Sequence, residues 1–229
     1  MSFETFPTPE SAAQAATDAI VAQLTPPGPK RLMVTGGRGP GPVYDRLARI
    51  DLDWPRVTIT LSDDRFVGLD SPDSNERLIG ERLLQGHAAA AKLVPLKGAG
   101  PTPADDAAAI EPAIRALVPF DATLLGMGDD GHIASLFPST PDLAALLDPS
   151  GEHFAVGVET PGLAPYLPRI SLTGRAILDT ALIVLLTGGE GKRALIERAT
   201  SDLAFNPPVA ALIRQTRTPV RIMWSPGVA

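Results

Sequence analysis

The sequence predicts an α/β fold: a doubly wound, mostly parallel open sheet with helices on both faces and a small excursion subdomain. Short apolar runs, each ending in glycine or an acidic residue, recur along the chain. They are Arg31–Thr35 before Gly36-Gly37, Val57–Leu61 before Ser62-Asp63-Asp64-Arg65, Ala122–Leu125 before Gly126-Met127-Gly128, and Ala181–Leu186 before Thr187-Gly188-Gly189. Near-continuous runs of β-branched residues and leucine mark strands buried on both faces, as in a parallel sheet covered by helices. Helical patterns alternate with these runs, and the alternation places ligands outside the carboxyl ends of the strands.

The helices read in order. Ser11 to Leu24 is alanine-rich, with Ser11 as the expected N-cap. Asp73-Ser74-Asn75-Glu76 resembles a capping box opening a helix through Leu84. Asp105–Leu117 and Glu190–Ala199 share the same period, and Asn206-Pro207-Pro208 introduces a last helix before the strand Val220–Trp224. Pro138 to Pro165 is rich in Pro, Gly and Asp and reads as an excursion around the strand His153–Val158. The expectation is one domain over residues 1–229, with the Pro/Gly-rich excursion around 138–168.

Composition excludes several kinds of chemistry. With 44% hydrophobic residues the 229-residue chain can bury a continuous core. Twenty Lys+Arg against 26 Asp+Glu give a formal charge of -6, so the broad basic footprint of a nucleic-acid binder is missing. There are no cysteines, which rules out disulfides, thiolate nucleophiles and cysteine zinc sites and suits a reducing compartment. No two of the three histidines have metal-ligand spacing. Met1–Pro9 lacks the basic start and apolar run of a signal peptide, and no stretch is long enough to span a membrane. The expectation is a cytoplasmic protein with no nucleic-acid or membrane partner, acting as a monomer or weak homodimer.

The strand ends carry the chemistry. Thr35-Gly36-Gly37-Arg38-Gly39 offers amide N–H groups at a strand-to-helix turn, which suits a phosphate equally as well as a plain tight turn. Gly126-x-Gly128-x-x-Gly131 matches a dinucleotide fingerprint in form, but Asp129 and Asp130 would place two negative charges where a pyrophosphate must approach. His132, just past that loop and expected at a helix start, is the candidate for proton transfer. His87 and His153 read as solvated or structural. Arg65 can hold a phosphate bidentately, a carboxylate of the same strand end can orient a base, and Lys192 and Arg169 are further cations.

Taken together these residues resemble the 6-phosphogluconolactonase family. The most specific stretch is Gly126–Pro138, Gly-Met-Gly-Asp-Asp-Gly-His-Ile-Ala-Ser-Leu-Phe-Pro, and Pro72–Arg77 and Pro168–Thr173 resemble two further elements of that family. The resemblance implies hydrolysis of 6-phospho-D-glucono-1,5-lactone to 6-phosphogluconate, with no metal and no organic cofactor. It implies His132 and Asp63 as catalytic residues, and Gly36, Gly37, Arg38, Arg65, Asp130, Arg169 and Lys192 around the phosphorylated sugar lactone. Asp64 stands where the family usually has Glu, Gly39 where a hydroxyl residue is common, and Gly188 where a threonine is frequent. A glucosamine-6-phosphate deaminase shares Asp-Gly-His but continues Ile-Ala-Phe-Asn-Glu-Pro, whereas this chain reads Ile133-Ala134-Ser135-Leu136-Phe137-Pro138. A non-catalytic sugar-phosphate sensor would be expected to carry a basic DNA-binding segment ahead of residue 31.

Overall fold

A computed structural model describes residues 1–159 and 166–227. From the N-terminus, β1 (Ser2–Thr5) leads to α1 (Pro9–Leu24), β2 (Lys30–Val34), α2 (Gly41–Leu47), β3 (Val57–Leu61) and β4 (Asp63–Arg65). The chain continues through α3 (Asn75–Arg82), β5 (Lys92–Val94), α4 (Pro103–Leu117), β6 (Ala122–Leu125), α5 (Leu143–Leu147), β7 (Ala155–Val158) and β8 (Arg169–Leu172). It closes with α6 (Gly174–Ile177), β9 (Ile183–Gly188), α7 (Glu190–Ser201), α8 (Ala210–Arg214) and β10 (Val220–Ser225).

Seven strands form one parallel sheet in the order β1-β10-β9-β6-β2-β3-β5. The path β2–α2–β3 moves toward one edge and β9–α7–α8–β10 toward the other. Right-handed crossovers therefore put the two sets of helices on opposite faces. The direction reverses between β2 and β6, and that is where an open α/β sheet leaves its crevice. The five inner strands are buried on both sides, with Leu32, Val34, Ile59, Leu61, Leu124, Val184 and Ile222 fully enclosed, whereas the edge strands β1 and β5 are partly exposed.

Local signals were shifted by a few residues at helix starts. Thr8, not Ser11, caps α1: its hydroxyl accepts from Ser11 N at 3.2 Å, and Ser11 Oγ accepts from Thr8 N at 3.2 Å. Ser11 is thus the third helical residue of a capping box. Likewise Thr102 caps α4 three residues ahead of Asp105, and Ser74 caps α3.

A larger difference concerns Ser62–Arg65. The segment is not simply the end of β3; after Ser62 the chain starts a new strand in a second, antiparallel sheet, β4-β8-β7. The excursion supplies β7, β8 follows directly after it, and α4 packs across both. The part of the excursion at residues 160–165 lies outside the described residues.

Candidate active site

Side chains alternate across a strand, so Asp63 and Arg65 share one face of β4 while Asp64 takes the other. Asp63 and Arg65 line a cleft of about 470 Å³ at the carboxyl ends of the large sheet. Asp64 is fully buried on the far side and accepts from the Asn75 and Glu76 amides at 2.6 and 3.2 Å, at the N-terminal end of α3. A carboxylate there meets unpaired helix amides and a positive dipole end.

His132 also lines the cleft, on the loop after β6. It does not begin a helix. Gly131 (φ +82°) and Ala134 (φ +49°) take left-handed backbone, and an isolated bridge joins Ile133 to Leu136, so the chain turns tightly instead. The ring is oriented by a carboxylate: Nδ1 lies 2.6 Å from Asp130 Oδ1, which also accepts from His132 N at 3.1 Å. An ionised carboxylate can only accept, so Nδ1 carries the proton and Nε2 is left basic. Gly128 makes the approach possible, since a Cβ there would lie 2.1 Å from both Cε1 and Nδ1 of the ring.

Phe137, buried below the ring, ties this histidine to the cations. Its centroid is 4.5 Å from that of His132, and the Arg169 guanidinium stands 5.1 Å from the same Phe137 centroid. Arg169 faces Arg65 directly across the β4–β8 pair. Like charges opposite one another in a sheet repel. Burial, and with it the Arg65 charge, pulls the Arg169 guanidinium below its ordinary value, against the opposing pull of Asp63. Arg65 anchors one nitrogen on Asp73 O at 2.8 Å, while its buried Nε has no hydrogen-bond partner among the described residues. Two desolvated arginines side by side suit a multiply charged anion.

The remaining predicted residues sit around the same cleft, with different duties. Gly36, Gly37 and Arg38 form its lip; Arg38 is exposed and pairs with no described residue. Gly36 must lack a side chain because a Cβ would fall 1.9 Å from Asn75 Oδ1. Lys192 donates to Met127 O at 2.6 Å and lies 3.6 Å from Asp129, strapping α7 to the His132 loop. Asp63 receives Ser62 Oγ at 2.9 Å and Ser135 Oγ at 2.6 Å, so both its oxygens are already engaged. Asp130, expected on the substrate, does not line the cleft and instead holds His132. His87 and His153 lie outside the cleft, 55% and 65% exposed beside Asp51 and Glu111.

Sequence reasoning passed over Phe137, Asn75 and Ser135 as site residues. The alternation of β4 would have separated Asp64 from its neighbours, but no local signal shows which hydroxyl reaches Asp63. Among the described residues no group of three or more His, Cys, Asp or Glu is gathered for a metal, and no helix is long and apolar enough to cross a membrane.

A switch-point cleft lined by a carboxylate-oriented histidine and by several cations is the arrangement that acid–base chemistry on an anion would require of an α/β protein. More narrowly, the chain belongs to the glucosamine-6-phosphate isomerase/6-phosphogluconolactonase family, whose model matches residues 7–224. It is 41% identical to a 6-phosphogluconolactonase of Caulobacter vibrioides, over 97% of this chain and 96% of that one. A 6-phosphogluconolactonase of Rhizobium meliloti is 36% identical, over 96% and 97% of the two chains. Among solved structures, a 6-phosphogluconolactonase from Shewanella baltica superposes with a TM-score of 0.88 at 36% identity, covering 98% of this chain and 97% of the other.

Proposed function

We propose that this chain hydrolyses 6-phospho-D-glucono-1,5-lactone to 6-phospho-D-gluconate, with His132 as the general base and the two sheets acting as one catalytic unit. The observation that carries the reading is the Asp130–His132 couple, with Nδ1 held at 2.6 Å, in the cleft that also contains Arg65 and Arg169. Nε2 takes a proton from a water as that water attacks the C1 carbonyl. The imidazolium formed is stabilised by Asp130, which stays ionised. Collapse of the tetrahedral intermediate breaks the bond from C1 to the ring oxygen, and the imidazolium returns the proton to that oxygen. Arg65, Arg169 and Arg38, with the Gly36-Gly37 amides, hold the phosphate at the far end of the sugar. Lys192 and Asp63 keep the His132 loop in register from either side.

Generating the lactone in situ and following its disappearance tests the assignment. The expected result is turnover well above spontaneous opening, with little acceleration for the unphosphorylated lactone. No acceleration for the phosphorylated lactone overturns it.

A further inference from the structure

We infer that Lys97, which does not line the cleft, is a positioning residue for the phosphate-binding strand β4; the inference rests on the hydrolase reading above. Lys97 follows β5 at the start of the loop to α4, and its side chain is 11% exposed. Its ammonium lies 2.8 Å from Asp64 Oδ2 and donates to Val67 O and Ser74 Oγ, each at 3.0 Å. Glu76 stands 3.9 Å away.

The Asp64 carboxylate that Lys97 neutralises is the point where the cleft's loops meet. It accepts from Arg65 N at 2.8 Å and from Asn75 N at 2.6 Å. Asn75 in turn donates to Asp63 O at 2.9 Å, and its amide is what Gly36 packs against. One buried ion pair therefore registers Asp63 and Arg65 on β4, the start of α3 and the Gly36 turn against one another. Lys97 also lines a second cavity of about 420 Å³, together with Phe66, Val67, Leu69 and Glu76 among others. A buried carboxylate that loses the one cation paired with it among the described residues must either protonate or draw in water. Either change slackens the hydrogen bonds that set Arg65 and Asn75. The reacting end is held by Asp130 and Phe137, and its contact with β4, from Ser135 Oγ to the Asp63 carboxylate at 2.6 Å, lies on the face of the strand opposite Asp64.

The test compares Lys97→Met, Lys97→Arg and the double variant Asp64→Asn/Lys97→Met with the unmodified protein. KM and kcat are read for the phosphorylated lactone, and Kd for 6-phosphogluconate by calorimetry. Lys97→Met is expected to raise KM and Kd at least fivefold while kcat stays within about threefold, and Lys97→Arg to return both to within twofold. A purely structural role would lower the melting temperature and the active fraction but leave Kd unchanged. The double variant removes both charges of the Asp64–Lys97 pair and gives the same reading if Lys97→Met does not fold. KM and Kd within twofold of the unmodified protein in whichever variant folds, or failure of Lys97→Arg to restore them, overturns the inference. An unmodified protein that binds 6-phosphogluconate without hydrolysing the lactone refutes the hydrolase reading alone; one that does neither refutes both.

Discussion

Gly128→Ala turns the geometry around His132 into a number. The added Cβ would stand 2.1 Å from His132 Cε1 and Nδ1 and 2.8 Å from Asp130 Oδ1. Carbon atoms rest about 3.5–4.0 Å apart, so the ring must withdraw by about 1.5 Å. Such a retreat cannot keep the 2.6 Å bond to Asp130. A displacement of about 1 Å in a reacting group costs about 10²-fold, and 10² corresponds to about 2.7 kcal/mol in the barrier. We expect kcat to fall at least 10²-fold with KM within threefold, because the cations are untouched. Gly128 is outside the left-handed backbone region, and a Gly→Ala change alone contributes only about 0.4–1 kcal/mol through the unfolded chain. The melting temperature should move by no more than a few degrees. Gly80→Ala, in α3 with nothing within 4 Å, serves as the matched control with unchanged kcat. Steady-state kinetics on the in situ lactone, beside thermal melts, provide the assay. A Gly128→Ala protein that keeps kcat within twofold would refute the placement of the ring at the reacting centre.

Other expectations concern separate parts of the molecule. Asp130→Asn replaces the acceptor on Nδ1 with an amide that can donate, moving the proton to Nε2; kcat should fall about 10²–10⁴-fold at constant KM, read by the same kinetics. Arg169→Met removes a charge-assisted contact to the phosphate, so KM should rise about 10- to 100-fold while the slow turnover of the unphosphorylated lactone stays level. Glu4 joins β1 to β10 through Arg221, with Oε1 and Oε2 at 2.8 and 2.7 Å, and the hydrogen bonds from Arg221 hold its carboxyl below the usual range. A lowered acid stabilises the fold above its unfolded value and loses that contribution as pH falls. Glu4→Gln should therefore lower stability at pH 7 by up to about 1 kcal/mol, a difference that melts recorded at falling pH should show shrinking once the pH drops below the ordinary glutamate range.

The inner strands were legible because they are apolar runs buried on both faces, most of them punctuated by glycine or an acid, and the His132 loop because its glycines and acids cluster at a strand end. The edge strands β1 and β5, short and partly exposed, carry no such signal. What else escaped reading was non-local. Asp63-Asp64-Arg65 is too short and polar to announce a strand; it becomes one only because Arg169–Leu172, over a hundred residues later, pairs with it. Asp130 has the same sequence signature whether it faces a substrate or a ring. The left-handed Gly131 between Asp130 and His132 turns it back onto Nδ1. The start of α1 shifted because Thr8 and Ser11 both satisfy the capping pattern, and the choice between them rests on where Pro9 enters the helix.

The central claim is that His132 moves the proton in hydrolysis of a 6-phosphorylated lactone. Its most direct test is kcat of His132→Ala against the unmodified protein, with KM and melting temperature recorded on the same preparations. The expected result is a loss of about 10²–10⁴-fold in kcat, with KM and folding little changed. Turnover within twofold of the unmodified protein would contradict the account.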